Sequence, residues 1–167
     1  MIAYDLSKPN PTPAFEFERP YTCEFFCWGR PHMNVFKIDA GGNRIFIGKI
    51  LDPCTCCALN YEVMGSDNRM AYHVDAPICQ KGICCQCPCQ ECQRAQINWG
   101  KGDRANGLNL QPIQKIGKKK CCDNALSDAD DFIVPIPNGS TYDERILMIA
   151  LCIMIDYRVF ESDGGNN

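Results

Sequence analysis

The sequence has little of what marks a secreted, membrane-spanning or nucleic-acid-binding protein. Residues 1–8 lack the basic start and apolar stretch of a secretory signal, so we expect the protein not to be secreted. Lys and Arg number 17 against 20 Asp and Glu, which gives no overall attraction to nucleic acid. The longest apolar run, residues 146–155, is far shorter than the ~20 residues that cross a bilayer as a helix. We therefore expect any membrane contact to be made from an intracellular face.

Sequence motifs of common enzymes are also absent. The chain has neither a G-x-S-x-G hydrolase motif nor a phosphate-binding P-loop. Its two histidines, His32 and His73, lie outside the clusters of cysteine and aspartate. We therefore expect no enzymatic activity.

The composition and the pattern of apolar residues predict one mainly β domain. With 167 residues, of which 46% are hydrophobic, the chain can bury a core. From residue 34 onward, β-prone runs alternate with turns rich in Gly, Asn and Asp, which tolerate the backbone of tight hairpins. The predicted strands form an antiparallel meander and cover residues 35–39, 45–51, 59–64, 70–74, 94–99, 113–117 and 131–136.

One helix is predicted near the end of the chain. Thr141 and Glu144 have the spacing of a capping box, and residues 146–155 are apolar without interruption. A helix that is apolar on every face must be buried on every face, and this one, about 15 Å long, is too short to cross a bilayer. It is therefore expected to lie inside a β-barrel. The residues expected to be buried are Ile146, Leu147, Ile149, Ala150, Ile153 and Met154.

The first part of the chain has a different character. Four prolines in the first twenty residues favour an extended backbone and remove hydrogen-bond donors. Residues 1–33 are therefore interpreted as an N-terminal arm outside the core, residues 34–161 as the folded domain and residues 162–167 as a Gly- and Asn-rich tail. Phe15 and Phe17 alternate with glutamates, so the arm could lay an apolar edge on a surface.

Six segments follow, in order, the sequence blocks of phospholipid scramblases. They are residues 36–42 (FKIDAGG), 47–50 (IGKI), 77–79 (PIC), 115–117 (KIG), 127–132 (SDADDF) and 154–161 (MIDYRVFE). The chain thus resembles the C-terminal half of that family from about residue 34 to residue 161. The resemblance implies a tubby-like fold, in which an antiparallel β-barrel surrounds a C-terminal apolar helix.

The missing half of that fold has a structural consequence. An open barrel leaves unpaired strand edges and an exposed stripe of the helix, and both invite pairing with another chain. Either residues 1–33 substitute for the missing strands, or a protein partner completes the barrel.

The aspartate block is the candidate calcium site that the resemblance implies. Its ligands would be Asp128, Asp130 and Asp131. An EF-hand loop counted from Asp128 would have Phe132 at position 5 and Gly139 at position 12, where oxygen ligands are needed, so only weak affinity is expected. The alternative is a turn that leads into a strand.

The 14 cysteines allow three interpretations. Cys89 and Cys92 have the spacing of a zinc or iron pair, which Cys54 and Cys57 would complete. The resemblance implies palmitoylation as the rival, and the candidate acceptors are Cys84, Cys85, Cys87, Cys121 and Cys122. Reduced thiols that only pack are the third interpretation.

A short basic run precedes two of these cysteines. Lys118, Lys119 and Lys120 would each gain about 1 kcal/mol near an anionic leaflet, and an acyl chain on Cys121 or Cys122 would add a second anchor. The alternative is an ordinary solvated face.

Together these features predict a scramblase-family protein that associates with a membrane and moves phospholipids between leaflets under calcium control. Two alternatives stay open. One is an accessory subunit of a larger membrane assembly, with the mitochondrial membrane among the candidate hosts, and the other is a cysteine-bound metal module.

Overall fold

The computed structural model describes residues 1–5, 12–20, 30–53, 55, 58–84, 94–116 and 131–160. The strands in these residues are β1 (Ile2–Asp5), β2 (Thr12–Glu18), β3 (His32–Ile38), β4 (Arg44–Leu51), β5 (Ala58–Gly65), β6 (Met70–Pro77), β7 (Arg94–Ile97), β8 (Trp99–Lys101), β9 (Leu108–Asn109), β10 (Ile113–Ile116) and β11 (Asp131–Ile133). The helices are the short α1 (Lys81–Cys84) and the long α2 (Tyr142–Ile155), and α2 continues into a π-helical segment (Asp156–Phe160).

The strands form two antiparallel sheets that share one stretch of chain. The larger sheet has eight strands in the order β1-β2-β3-β4-β5-β6-β8-β9, and the smaller has the order β11-β10-β7. Only Asn98 separates β7 from β8, and its carbonyl oxygen accepts a hydrogen bond of 2.9 Å from the backbone N–H of Asp75 on β6. The chain therefore passes from one sheet to the other at Asn98.

The larger sheet is not closed. Within the described residues β1 and β9 each pair on one side only, so the architecture is a half-barrel around α2. This confirms the predicted mainly β half-barrel with one apolar helix. Every predicted strand corresponds to an observed one, although the strand predicted over residues 94–99 is interrupted at Asn98 and the last strand ends at Ile133.

The N-terminal arm differs from the prediction. Its residues form β1 and β2, and the side chains of Phe15 and Phe17 lie in the main hydrophobic core. The expectation that this segment stays outside the core is therefore wrong for β2. Pro13 is tolerated because it lies opposite Tyr4, where the β1–β2 register shifts, and before Phe15, where the pairing with β3 begins. The arm therefore adds strands to the sheet. This is one of the two predicted alternatives, in which residues 1–33 substitute for missing strands.

Helix α2 begins with the predicted capping box. The Thr141 hydroxyl accepts from the Glu144 backbone N–H at 3.2 Å, and the Glu144 carboxylate accepts from the Thr141 N–H at 2.7 Å. Burial acts to raise the pKa of Glu144, but the Thr141 N–H and Lys101 outweigh it, so the pKa is lowered. The helix packs mainly against β4 and also against β3 and β5.

The burial of α2 differs from the prediction at one face. Ile146, Leu147, Ala150 and Met154 are buried and Ile153 is partly buried. Ile149, however, is 51% exposed, so the prediction of burial is wrong for this residue. In the part of the chain that the structure describes, the half-barrel buries most of α2 and leaves exposed a narrow face that carries Ile149.

Candidate functional site

The uncovered side of α2 carries a stripe of apolar residues, here called the α2 stripe. It consists of Tyr142, Ile149, Ile153 and, in the π-helical segment, Tyr157. Tyr142, Ile149 and Ile153 share one helix face because helical residues recur at 3.6 per turn, and the exposed Arg145 lies on this face between Tyr142 and Ile149. At 1.5 Å per residue the stripe extends for about 20 Å, which exceeds the ~15 Å of hydrocarbon in one leaflet of a bilayer.

The stripe ends at a group of charged residues, here called the arginine cluster. It consists of Arg19, Arg30, Arg158 and Asp52. The guanidinium of Arg19 lies 3.9 Å from the centre of the Tyr157 ring, a cation–π contact that joins the cluster to the stripe. An apolar surface and a cationic surface therefore meet at one end of the helix.

The antiparallel sheet brings these distant residues together. Strand β2 ends at Glu18, β3 begins at His32, and His32 pairs with Leu51 at the end of β4. The residues beside these three strand ends therefore lie at one edge of the sheet. Helix α2 ends on the same side and supplies Arg158, which contacts Asp52.

Asp52 is the centre of the cluster. Its side chain is only 5% exposed and pairs with Arg158 and with Arg30, whose Nη2 lies 3.8 Å from Oδ1. Nη2 of Arg30 also donates to the carbonyl oxygen of Pro53 at 3.2 Å. A buried carboxylate needs such partners because desolvation penalises the charged form. Two guanidinium groups, those of Arg30 and Arg158, thus contact this one carboxylate.

Tyr61 lies on β5 in the hydrophobic core. Its side chain is fully buried, and burial raises the pKa of its hydroxyl far above the ordinary value, although Arg19 and Arg30 act in the opposite direction. The hydroxyl is therefore protonated at neutral pH and can donate a hydrogen bond.

The predicted calcium ligands are described only in part. Asp131 lies at the start of β11 with its side chain exposed, while Asp128 and Asp130 lie outside the described residues. In the described part of the chain, no group of three His, Cys, Asp or Glu side chains is arranged to hold a metal ion. The calcium site stays a prediction.

Most of the predicted zinc, lipidation and membrane-contact residues are likewise untested. The residues outside the described ranges are Cys54, Cys57, Cys85, Cys87, Cys89, Cys92, Lys118, Lys119, Lys120, Cys121 and Cys122. Cys84 is the last residue of α1. Two other thiols are described as free, the exposed Cys79 and the buried Cys152. Burial, with the Asp156 carboxylate, raises the pKa of Cys152 to about 12, so this thiol is unreactive at neutral pH.

No helix in the described ranges is long and apolar enough to span a bilayer.

The comparison with protein families decides the ancestry of this fold. Residues 10–162 match the family model described as Scramblase, which is nearly the whole chain. The chain belongs to the scramblase family. The match begins before residue 34 and includes β2, in agreement with the sheet. Scramblase membership implies interaction with phospholipids and association with membranes. No solved structure matches the chain.

The arginine cluster and the exposed face of α2 were not found from the sequence. A usable signal was the position of Arg19, Arg30 and Asp52 beside strand ends, since adjacent ends of antiparallel strands share a sheet edge.

Proposed function

We propose that this scramblase-family protein binds phospholipids at an intracellular membrane face and assists their movement between leaflets without covalent chemistry. The observation that carries the proposal is the contact between the α2 stripe and the arginine cluster. A phospholipid has the same division, because its acyl chains are apolar and its phosphate is anionic. The two surfaces are therefore complementary to one lipid molecule.

The physical obstacle to lipid movement is the headgroup. A charged group loses several kcal/mol when it leaves water for hydrocarbon, whereas the acyl chains remain in an apolar environment throughout. Guanidinium groups pair with phosphate through charge-assisted hydrogen bonds and replace part of its hydration. A protein that holds the phosphate beside an apolar stripe therefore lowers the barrier to transfer.

Calcium control is the second part of the proposal. Its support is the aspartate block, of which Asp131 is exposed at the start of β11. Because the block departs from a complete EF-hand loop, calcium is proposed to act at millimolar concentration, which is the range of weak sites.

The proposal predicts scrambling in vesicles. Protein reconstituted with a fluorescent phospholipid is expected to expose the inner-leaflet probe to dithionite, faster with millimolar calcium than with chelator. Quenching limited to the outer leaflet in both conditions, as in vesicles without protein, would refute the transport function.

A variant pair tests the stripe in the same assay. Ile149→Asn is expected to slow transfer about fivefold, since a half-buried contact of an Ile side chain contributes about 1 kcal/mol. Ile133→Asn is the matched control, because Ile133 is 52% exposed on β11, in the smaller sheet. Equal rates for the two variants would count against the stripe.

The open sheet edge supports a second candidate, an accessory subunit of a larger membrane assembly. Strand β1 is an edge strand, and its Ile2 and Tyr4 are exposed large apolar residues. A partner strand could pair there and extend the sheet. A native particle with the 18.8 kDa mass of one chain would refute this candidate.

A further inference from the structure

We propose that strand β1 pairs with β1 of a second copy of this chain, and that Tyr4 of each copy fills a cavity on the other. The two copies are related by a two-fold axis at Ala3, and the contact is here called the β1 seam. The inference rests on the accessory-subunit candidate only for the use of this edge, and it is independent of lipid transport.

The backbone of β1 presents hydrogen-bonding groups to the open edge of the sheet. Met1 exchanges two backbone hydrogen bonds with Phe17 of β2, at 2.8 and 2.9 Å. Hydrogen-bonded and non-hydrogen-bonded pairs alternate along an antiparallel ladder, so the N–H and C=O of Ile2 point away from β2. Tyr4, two residues on, points the same way, and its partner Pro13 has no N–H to donate. Strand β1 therefore offers both donors and acceptors to another strand.

The spacing of these groups fits a second copy of β1. When Ala3 lies opposite Ala3 of the other copy, Ile2 lies opposite Tyr4 and Tyr4 lies opposite Ile2. In this register each of the two Ile2–Tyr4 pairs can exchange two hydrogen bonds. Each pair also places a β-branched side chain beside an aromatic one, which is a favourable cross-strand combination. A symmetric contact requires a self-complementary surface, and β1 meets this condition.

A cavity beside β1 accommodates the Tyr4 side chain of the second copy. Its volume is about 380 Å³. Ile2 and Tyr4 are 48% and 52% exposed and lie on the same face of β1, because side chains two residues apart share a face. A Tyr4 ring opposite Ile2 therefore lies at the mouth of the cavity, with apolar walls for the ring and a carboxylate that can accept from the hydroxyl. The cavity is lined in part by Ile2, Pro13, Glu16, Ile38 and Ala40.

Two other edges in the described part of the chain are less suited to pairing. The edge of β7 is occupied at Gln96, whose backbone N–H and C=O bond the side-chain amide of Gln80 at 3.0 and 2.8 Å. Strand β9, at the other end of the larger sheet, has only two residues. Exposed edges are commonly protected by short length, lysine or proline. The four residues of β1 include neither Lys nor Pro, which favours β1 as the pairing edge.

Analytical ultracentrifugation of the full chain, in reductant and over a range of concentrations, tests the pairing. The wild-type chain is expected to form a dimer. Tyr4→Ser should weaken the dimer about tenfold, because it removes the aromatic side chain that fills the cavity. Leu108→Ser is the matched control and should dimerise like wild type, since Leu108 is an exposed apolar residue on the opposite edge strand β9.

A second variant tests the cavity without any change in β1. Ala40→Trp places a large side chain in the cavity and should also weaken the dimer about tenfold, because the Tyr4 ring of the second copy can no longer enter. Ala105→Trp is the matched control and should keep the wild-type affinity, since Ala105 is exposed in the turn before β9.

Cysteine cross-linking tests the position of the two-fold axis. Ala3 and its counterpart form a non-hydrogen-bonded pair in the β1 seam, with Cα atoms about 4.5 Å apart, which a disulfide can bridge. Mild oxidation of Ala3→Cys is expected to give dimers linked through residue 3, identified by mass spectrometry. Asn109→Cys, on β9, is the control and should give no link between the two copies of residue 109.

A wild-type chain that stays monomeric at every concentration would overturn the β1 seam. A dimer that Tyr4→Ser and Ala40→Trp leave unchanged, and that Ala3→Cys does not link, would also overturn it, because another surface would hold the copies together. A monomer that binds a different protein through β1 would overturn the choice of a second copy. If the dimer forms as expected but vesicles show no scrambling, the β1 seam stands and the transport function fails. If a monomer scrambles lipid, the β1 seam alone fails.

Discussion

Replacing Gly48 with alanine is expected to lower the free energy of unfolding by about 3 kcal/mol, as for severe overpacking of a core. A Cβ atom at this position would lie 2.3 Å from the carbonyl oxygen of Met64 and 2.9 Å from Cδ2 of Leu147. The first contact is with backbone, which cannot rotate away. Gly48 lies where β4 pairs with β5 and where α2 packs on the sheet, so all three elements would have to shift. Urea unfolding measures the loss.

A second glycine provides the control for this prediction. Gly42 has a φ of +81° in the turn before β4, and a Cβ atom there would meet nothing within 4 Å. Gly42→Ala is therefore expected to cost only about 1 kcal/mol, from the left-handed backbone alone. If the two variants lose the same stability, the close approach at Gly48 is not what fixes α2 on β4.

Replacing Asp52 with asparagine is expected to destabilise the protein by about 3 kcal/mol. The change keeps the shape of the side chain but removes the buried charge that Arg30 and Arg158 surround. The expected loss is at the lower end for broken buried pairs, because the two guanidinium groups are 22% and 33% exposed and keep part of their hydration. Thermal or urea unfolding of the full chain measures it.

An exposed pair serves as the comparison for Asp52. Asp67→Asn removes the carboxylate from a solvent-exposed pair with Arg69 and should change stability by less than about 0.5 kcal/mol. Adding Arg30→Gln to Asp52→Asn should restore part of the loss, since one of the two positive charges that faced the carboxylate is removed. A loss at Asp52 no larger than at Asp67 would show that the cluster does not depend on its carboxylate.

The elements with strong local signals were predictable from the sequence. The capping box at Thr141 and the apolar run after it specify α2, and the hairpin turns separate the strands correctly. The prediction for the N-terminal arm is wrong at β2, because the alternation of Phe15 and Phe17 with glutamates is a strand pattern that the nearby prolines do not prevent. Tertiary pairing with β3 decided the outcome, and Pro13 could enter a strand because it lies at a register shift.

The candidate site was much less predictable. Arg19, Arg30, Asp52 and Arg158 are far apart in the chain and meet only because strand ends and the end of α2 share one edge of the sheet. The exposure of Ile149 depends on how far the sheet extends around the helix. The unbroken apolar run in the sequence does not indicate this extent. Such properties come from sheet closure and topology, which local pattern does not encode.

Photolabelling gives the most direct test that the α2 stripe and the arginine cluster bind one phospholipid. A phosphatidylserine analogue with a diazirine in its acyl chain is presented in vesicles, irradiated with the full chain, and its attachment points are mapped by mass spectrometry. The predicted result is labelling at Tyr142, Ile149 and Ile153, reduced by Arg19→Gln and unchanged by Arg69→Gln. Labelling confined to other segments, such as the β1 edge, would contradict the assignment of this face of the half-barrel to lipid.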